Sequence, residues 1–120
     1  MNKPTVAGIF YPFEFHELEN EISKSFHHKL GPGSLPNKRS DEQKLVGVIV
    51  PHAGYAYSGP AAAWAYKEIA ESRMPSTYII LGPDHNGIYD SIVTADEDFE
   101  TPFGVVKVNK DFVDRLIKKV

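Results

Sequence analysis

The stretch Leu45-Val46-Gly47-Val48-Ile49-Val50-Pro51-His52-Ala53-Gly54-Tyr55-Ala56-Tyr57-Ser58-Gly59-Pro60 decides the fold. Residues 45–50 are a short β-branched run without polar alternation, the pattern of a strand covered on both faces. Pro51 to Gly59 reads as a turn. The following Pro60-Ala61-Ala62-Ala63-Trp64-Ala65-Tyr66-Lys67-Glu68-Ile69-Ala70 is rich in strong helix formers, and Pro60 suits a first helical position. Pro75-Ser76 ends that unit, and Tyr78-Ile79-Ile80-Leu81 reads as a second buried strand, closed by Gly82-Pro83. Strand, helix and strand in so short a span form a βαβ unit, which requires parallel strands and a right-handed crossover. The expected fold is therefore α/β, a mostly parallel sheet with flanking helices.

Outward from this unit, Val6-Ala7-Gly8-Ile9-Phe10-Tyr11-Pro12 reads as an extended or looping segment. Phe15, Leu18, Ile22 and Phe26 recur at spacings of three and four with polar residues between them, predicting an amphipathic helix over roughly 14–28. Gly31 to Asp41 is polar and rich in breakers, a surface loop with the length and charge of a mobile segment. Toward the other end, Ser91–Ala95 and Val105–Val108 read as two further strands, separated by an acidic loop that ends in Glu100-Thr101-Pro102-Phe103-Gly104. Asn109 is placed to cap a last helix with Val113, Leu116, Ile117 and Val120 on one face. No boundary interrupts residues 1–120, which read as one domain.

Composition sets limits on function. In 120 residues, 42% are hydrophobic and 24% charged, so a packed core is expected rather than disorder. A net charge of −3 and scattered lysines and arginines argue against nucleic-acid binding. There is no cysteine, which removes disulfides, thiolate nucleophiles and zinc–thiolate sites from these residues. The start lacks the apolar run of a signal peptide, and the longest apolar stretches are too short to span a bilayer. A cytoplasmic protein without membrane contact is the expectation.

Two histidines hold equivalent places. His52 follows the carboxyl end of the first predicted strand and His85 that of the second, where open parallel sheets bind ligands. Imidazole is the commonest metal ligand and a proton shuttle near neutral pH, so a converging pair suits either task. His16, His27 and His28 belong to or border the first helix and read as solvated. In the segment after His52, Gly54 and Gly59 permit a close return of the chain, amides at the helix start with Ser58 offer an anion site, and Tyr55 and Tyr57 offer phenolic hydrogen bonds. For one of the two tyrosines, packing under the loop is the expected role. Asp84, in Gly82-Pro83-Asp84-His85-Asn86-Gly87, either supports or ligates at the same place or is a turn aspartate bonding its own backbone. Phosphate-binding glycine signatures, a nucleophile elbow and paired glycosidase acids are absent, so no catalytic residue is assigned.

Four segments, 6–12, 50–59, 80–85 and 100–104, run in the order found in the Memo family, and His52-Ala53-Gly54-Tyr55 followed by Leu81-Gly82-Pro83-Asp84-His85 is a specific pair. The chain thus resembles the amino-terminal part of a Memo-family protein, a family similar in fold to class III, non-haem-iron extradiol dioxygenases. The resemblance implies a domain truncated at its carboxyl end, with His52 and His85 as metal ligands, a divalent iron or copper as cofactor, and a redox or dioxygenase-like activity. It implies as partners a small molecule or protein, and in microbes a radical-SAM protein with its small companion. Family members take a third ligand, a cysteine, and an Asp-Phe-x-His segment from sequence absent here. Locally only Asp84, Asp90, Asp96 or Glu100 can stand in. The alternative is a non-enzymatic module that binds a peptide or protein in the same crevice through Tyr55, Tyr57, Tyr89 and Phe103.

Overall fold

A computed structural model describes residues 1–87 and 92–119. In chain order it contains α1 (Phe15–His27), α2 (Tyr55–Glu71), β1 (Phe99–Thr101), β2 (Gly104–Val106) and α3 (Lys110–Ile117). These fall into two compact units, Thr5–Pro75 and Met1–Pro4 with Ser76–Val120.

The first unit is a helix pair. The periodicity of α1 puts Leu18 and Phe26 in its core, 3% and 7% exposed, each apolar side chain worth about 1.5–3 kcal/mol when fully buried. Against them α2 presents Gly59, Ala62 and Ala63, all buried, a face of small residues that lets the two helices approach. The approach is closest at Gly59, where a Cβ would stand 2.4 Å from Ser25 Oγ. Ser25 is itself buried and turns its hydroxyl back onto the Glu21 carbonyl at 3.1 Å.

Beyond α1 the chain reverses under the helix end. Gly33, at φ +81°, donates its amide to the Phe26 carbonyl, and a Cβ on Gly31 would lie 2.3 Å from the Ser25 carbonyl oxygen. The loop from there to residue 43 is fastened along the outer side of α2. Trp64 Nε1 donates to the Leu30 carbonyl at 2.9 Å, and Lys67 Nζ to Ser34 Oγ at 2.5 Å. Glu71 accepts the Asn37 amide through its side chain and the Ser40 amide through its carbonyl, while Arg39 donates to the Ser72 carbonyl. Trp64, Lys67 and Glu71 follow at spacings of three and four, one stripe of the helix. The sequence marks this segment as a surface loop; its fastening to α2 is legible only in three dimensions.

The second unit centres on a β-hairpin. β1 and β2 pair antiparallel with Phe99 opposite Val106 and Thr101 opposite Gly104. Thr101 Oγ1 accepts the Phe103 amide and donates to the Gly104 carbonyl, and Gly104 takes φ +117°, a conformation that L side chains rarely adopt. Asn2 joins the hairpin through a parallel bridge to Phe99, donating to the Asp98 carbonyl and accepting from the Glu100 amide. Flanking ion pairs link the Met1 amine to Glu97 and Lys3 to Glu100. Asn109 caps α3 as expected, its Oδ1 accepting the Phe112 amide at 3.0 Å, and Val113 is buried.

Several expectations are corrected. The only sheet among the described residues is this antiparallel hairpin, so the α/β class holds while a mostly parallel sheet is not shown. Residues 45–50 and 78–81 form no strand. Strands buried on both faces need neighbours at their edges and layers above and below, whereas Val46 and Ile49 are 96% and 98% exposed and Ile80 and Leu81 88% and 90%. Residues 92–95 likewise form no strand, and Ser91 lies outside the described residues. The expected acidic loop holds β1 and the hairpin turn instead, and the strand expected at Val105–Val108 is the shorter β2. Pro60 is inside α2 rather than at its start, because the helix begins at Tyr55 with the Gly54 carbonyl accepting the Tyr57 and Ser58 amides.

Candidate functional site

Each candidate residue is placed by its own unit. In the first unit, His52 stands exposed on the short segment between residues 45–50 and α2. Only Pro51 to Gly54 separate the apolar run from the helix, since the next residue is already helical. Gly54 has an ordinary φ of −60°, and Gly59 is helical, so neither glycine serves an unusual backbone angle. Their role is closeness. A Cβ on Gly54 would lie 3.2 Å from the Phe10 carbonyl oxygen, just as one on Gly59 would strike Ser25. The segment Phe10–Pro12 therefore passes against the root of the His52 turn, a neighbour with no signal in the local sequence.

The two tyrosines separate in character. Tyr57 is 88% exposed. Tyr55 is partly buried, and burial raises its phenol above the ordinary value, helped by Tyr66, Tyr11 and Glu21 nearby. Tyr55 and Tyr66 are three helical turns apart on the face that also carries Gly59 and Ala62, which accounts for their proximity. Tyr55 is thus the more enclosed of the two, and Tyr57 the outward phenol. Ser58 is not available to an anion in the expected way, because its hydroxyl donates to the Ala53 carbonyl at 2.6 Å.

In the second unit, His85 is exposed on the turn that follows residues 78–81. Asp84 builds that turn, with Oδ1 accepting the Asn86 amide at 3.0 Å and the Gly87 amide at 3.2 Å, while Gly87 adopts φ +58°. This is the local aspartate turn that its position in the sequence permits. The other carboxylates differ. Glu100 pairs with Lys3, Asp96 is exposed, and Asp90 and Tyr89 lie outside the described residues.

An iron site of the dioxygenase kind needs two histidines and a carboxylate with open positions. Among the described residues no three histidine, aspartate or glutamate side chains stand together. The imidazoles of His52 and His85 do not by themselves complete a metal shell. Beside α3 a shallow hollow of ≈ 370 Å³ is lined by Asp111, Asp114, Arg115 and Lys118, remote in sequence from every candidate residue. No described helix is long and apolar enough to cross a membrane.

Comparison with known proteins places these features. The family described as Memo-like protein matches residues 2–120. A MEMO1 family protein of Methanococcus maripaludis is 46% identical over 117 residues, covering 97% of this chain and 41% of the relative. A MEMO1 family protein of Methanopyrus kandleri is 45% identical over 117 residues, with the same coverage. A more distant one from Caldivirga maquilingensis is 40% identical over 119 residues, covering 98% of this chain and 42% of its own length. The chain thus spans about two fifths of the length of the curated relatives it matches. No solved structure matches it.

Proposed function

The chain belongs to the Memo family, and on that premise we propose that it is a metal-binding protein of dioxygenase-like architecture in which His52 and His85 are ligands. In this reading His52 and His85 bind a divalent iron or copper ion, and groups other than these two imidazoles complete the shell. The same reading includes a mostly parallel sheet in which residues 45–50 and 78–81 are strands, so that both histidines stand at carboxyl ends of the sheet. The observation that carries it is the repeated local arrangement. A β-branched run leads directly to an exposed histidine on a short turn in both units, and neither histidine is taken into a core. A divalent ion held there would act as a Lewis acid toward a small bound molecule or oxygen species. Tyr57, exposed on the first turn of α2, supplies the phenol that meets what binds in this reading.

Equilibrium dialysis against Fe(II) or Cu(II) tests the assignment. His52→Ala and His85→Ala should each weaken retention by roughly 10–100-fold, while His27→Ala should leave it unchanged. Equal retention by all four proteins would remove both histidines from the ligand set.

A second reading has its own observation. Tyr57, at 88% exposure, projects an aromatic ring of the kind enriched in protein contact surfaces. If Tyr57 holds a peptide without metal, Tyr57→Ala lowers peptide capture and His85→Ala does not.

A further inference from the structure

Asn86-Gly87 is the only Asn-Gly pair in the chain; the other asparagines precede charged residues, as Asn2-Lys3, Asn20-Glu21, Asn37-Lys38 and Asn109-Lys110. The pair lies in the turn that carries His85, and both residues are exposed. Asp84 shapes its backbone, with Oδ1 accepting the Asn86 amide at 3.0 Å and the Gly87 amide at 3.2 Å. Gly87 adopts φ +58°, in the left-handed region that disfavours a residue with a Cβ. The turn therefore asks for glycine at this position. Glycine in turn brings the least hindered backbone nitrogen next to the Asn86 side-chain amide.

We propose that Asn86 is a site of spontaneous deamidation and isoaspartate formation, and that Asp84 sets its pace by holding the Gly87 amide. The Gly87 nitrogen loses its proton to solvent base and attacks Asn86 Cγ. A bond from that nitrogen to Cγ forms, the Cγ–Nδ2 bond breaks, and ammonia leaves with a proton taken from water. Water then opens the cyclic imide. Attack at Cγ gives aspartate, whereas attack at the Asn86 main-chain carbonyl gives isoaspartate, its backbone rerouted through Cβ and Cγ. No oxidant or reductant enters.

Asp84 acts before the first step, because the Gly87 amide must give up its bond to Oδ1 before the nitrogen can attack. At 3.2 Å on an exposed turn that bond is at the long end of the ordinary range, so it slows the reaction without preventing it. The other asparagines lack this combination. Asn20 is inside α1, Asn109 spends its Oδ1 on the Phe112 amide, and Asn2 donates Nδ2 to the Glu97 carbonyl. Asn37 is exposed, but the nitrogen that would attack belongs to a lysine, whose side chain hinders it. Deamidation replaces a neutral amide beside His85 with a carboxylate, and the isoaspartate form adds a methylene to the backbone. The turn that carries the histidine thus changes in charge and reach, whether or not a metal binds there.

The test warms the full 120-residue chain at mildly alkaline pH. Each asparagine is followed by peptide mass spectrometry, and electron-transfer fragmentation separates isoaspartate from aspartate. Asn86 should convert before Asn2, Asn20, Asn37 and Asn109, and should yield both products. Asp84→Ala should speed conversion at Asn86 by about three- to tenfold, the worth of one exposed hydrogen bond. Asp84→Asn, which keeps an acceptor oxygen for the Gly87 amide, should stay near the parent rate. Another asparagine converting first, or Asn86 intact over a time in which the urea-unfolded chain converts fully, would overturn the site. Asp84→Ala no faster than the parent, or Asp84→Asn as fast as Asp84→Ala, would overturn the role of Asp84. None of these readouts involves metal, so the result stands apart from the ligand assignment.

Discussion

Replacing Gly59 with alanine probes the contact that seats α2, and with it the His52 turn. At an open helical position the change from glycine to alanine stabilises by about 1 kcal/mol. Here the new Cβ would meet Ser25 Oγ at 2.4 Å, Ser25 Cβ at 3.3 Å and Tyr55 Cβ at 3.5 Å. The hydroxyl must rotate away, giving up its bond to the Glu21 carbonyl, a loss of about 1 kcal/mol. The residue before Pro60 is also strained in the helical region once it has a Cβ, and together with the crowding this adds about 1 kcal/mol. Gly59→Ala should therefore be destabilising by about 1 kcal/mol instead of stabilising. In a Ser25→Ala background the hydroxyl clash is gone and only the proline strain remains. The double-mutant cycle should then show a coupling of about 1 kcal/mol, read from urea unfolding followed by helical circular dichroism. A Gly59→Ala protein more stable than its parent, or a coupling of zero, would show that α1 and α2 do not meet at Ser25.

Three further outcomes follow from single contacts. Gly31→Ala sets a Cβ 2.3 Å from the Ser25 carbonyl oxygen, a backbone atom that cannot rotate away; the loss should reach about 3 kcal/mol in the same unfolding assay. Asn109→Ala removes the acceptor of the Phe112 amide, and should cost about 1 kcal/mol, visible as fraying of α3 in amide exchange. Asp98 is held below the ordinary carboxylate value by the hydrogen bond from Lys107 and then by the Val108 amide. A depressed folded pKa means that its contribution is present above the unfolded value near about 3.9 and is lost as pH falls through the folded one. Carboxyl NMR titration of Lys107→Met should show the Asp98 pKa moving back up; an unmoved titration would refute the pairing.

The sequence carries α1 almost to the residue, because four apolar positions at helical spacing need only one partner surface to become a core. It carries the Asn109 cap for a similar reason, since a cap is satisfied within one turn. The start of α2 is misread because Pro60 suits a first turn, yet Gly54 already begins the helix and Pro60 sits inside it. The β1–β2 hairpin hides in acidic sequence, although Phe99-Glu100-Thr101 and Gly104-Val105-Val106 around a two-residue link have the spacing of one. The runs at 45–50 and 78–81 read as strands in the sequence but form none in the structure, because a strand buried on both faces depends on neighbours that the local sequence does not supply. The candidate site divides the same way. His52 and His85 are marked by their place behind those runs, Asp84 by its turn chemistry, and the partial burial of Tyr55 only by its neighbours Tyr11, Tyr66 and Glu21.

The shared-ligand claim is tested most directly by imidazole NMR during a substoichiometric Cu(II) titration of the protein bearing its full complement of five histidines. His52 and His85 should broaden together, at the same copper ratio, while His16, His27 and His28 stay sharp. Broadening of only one of the pair, or of all five alike, would contradict it.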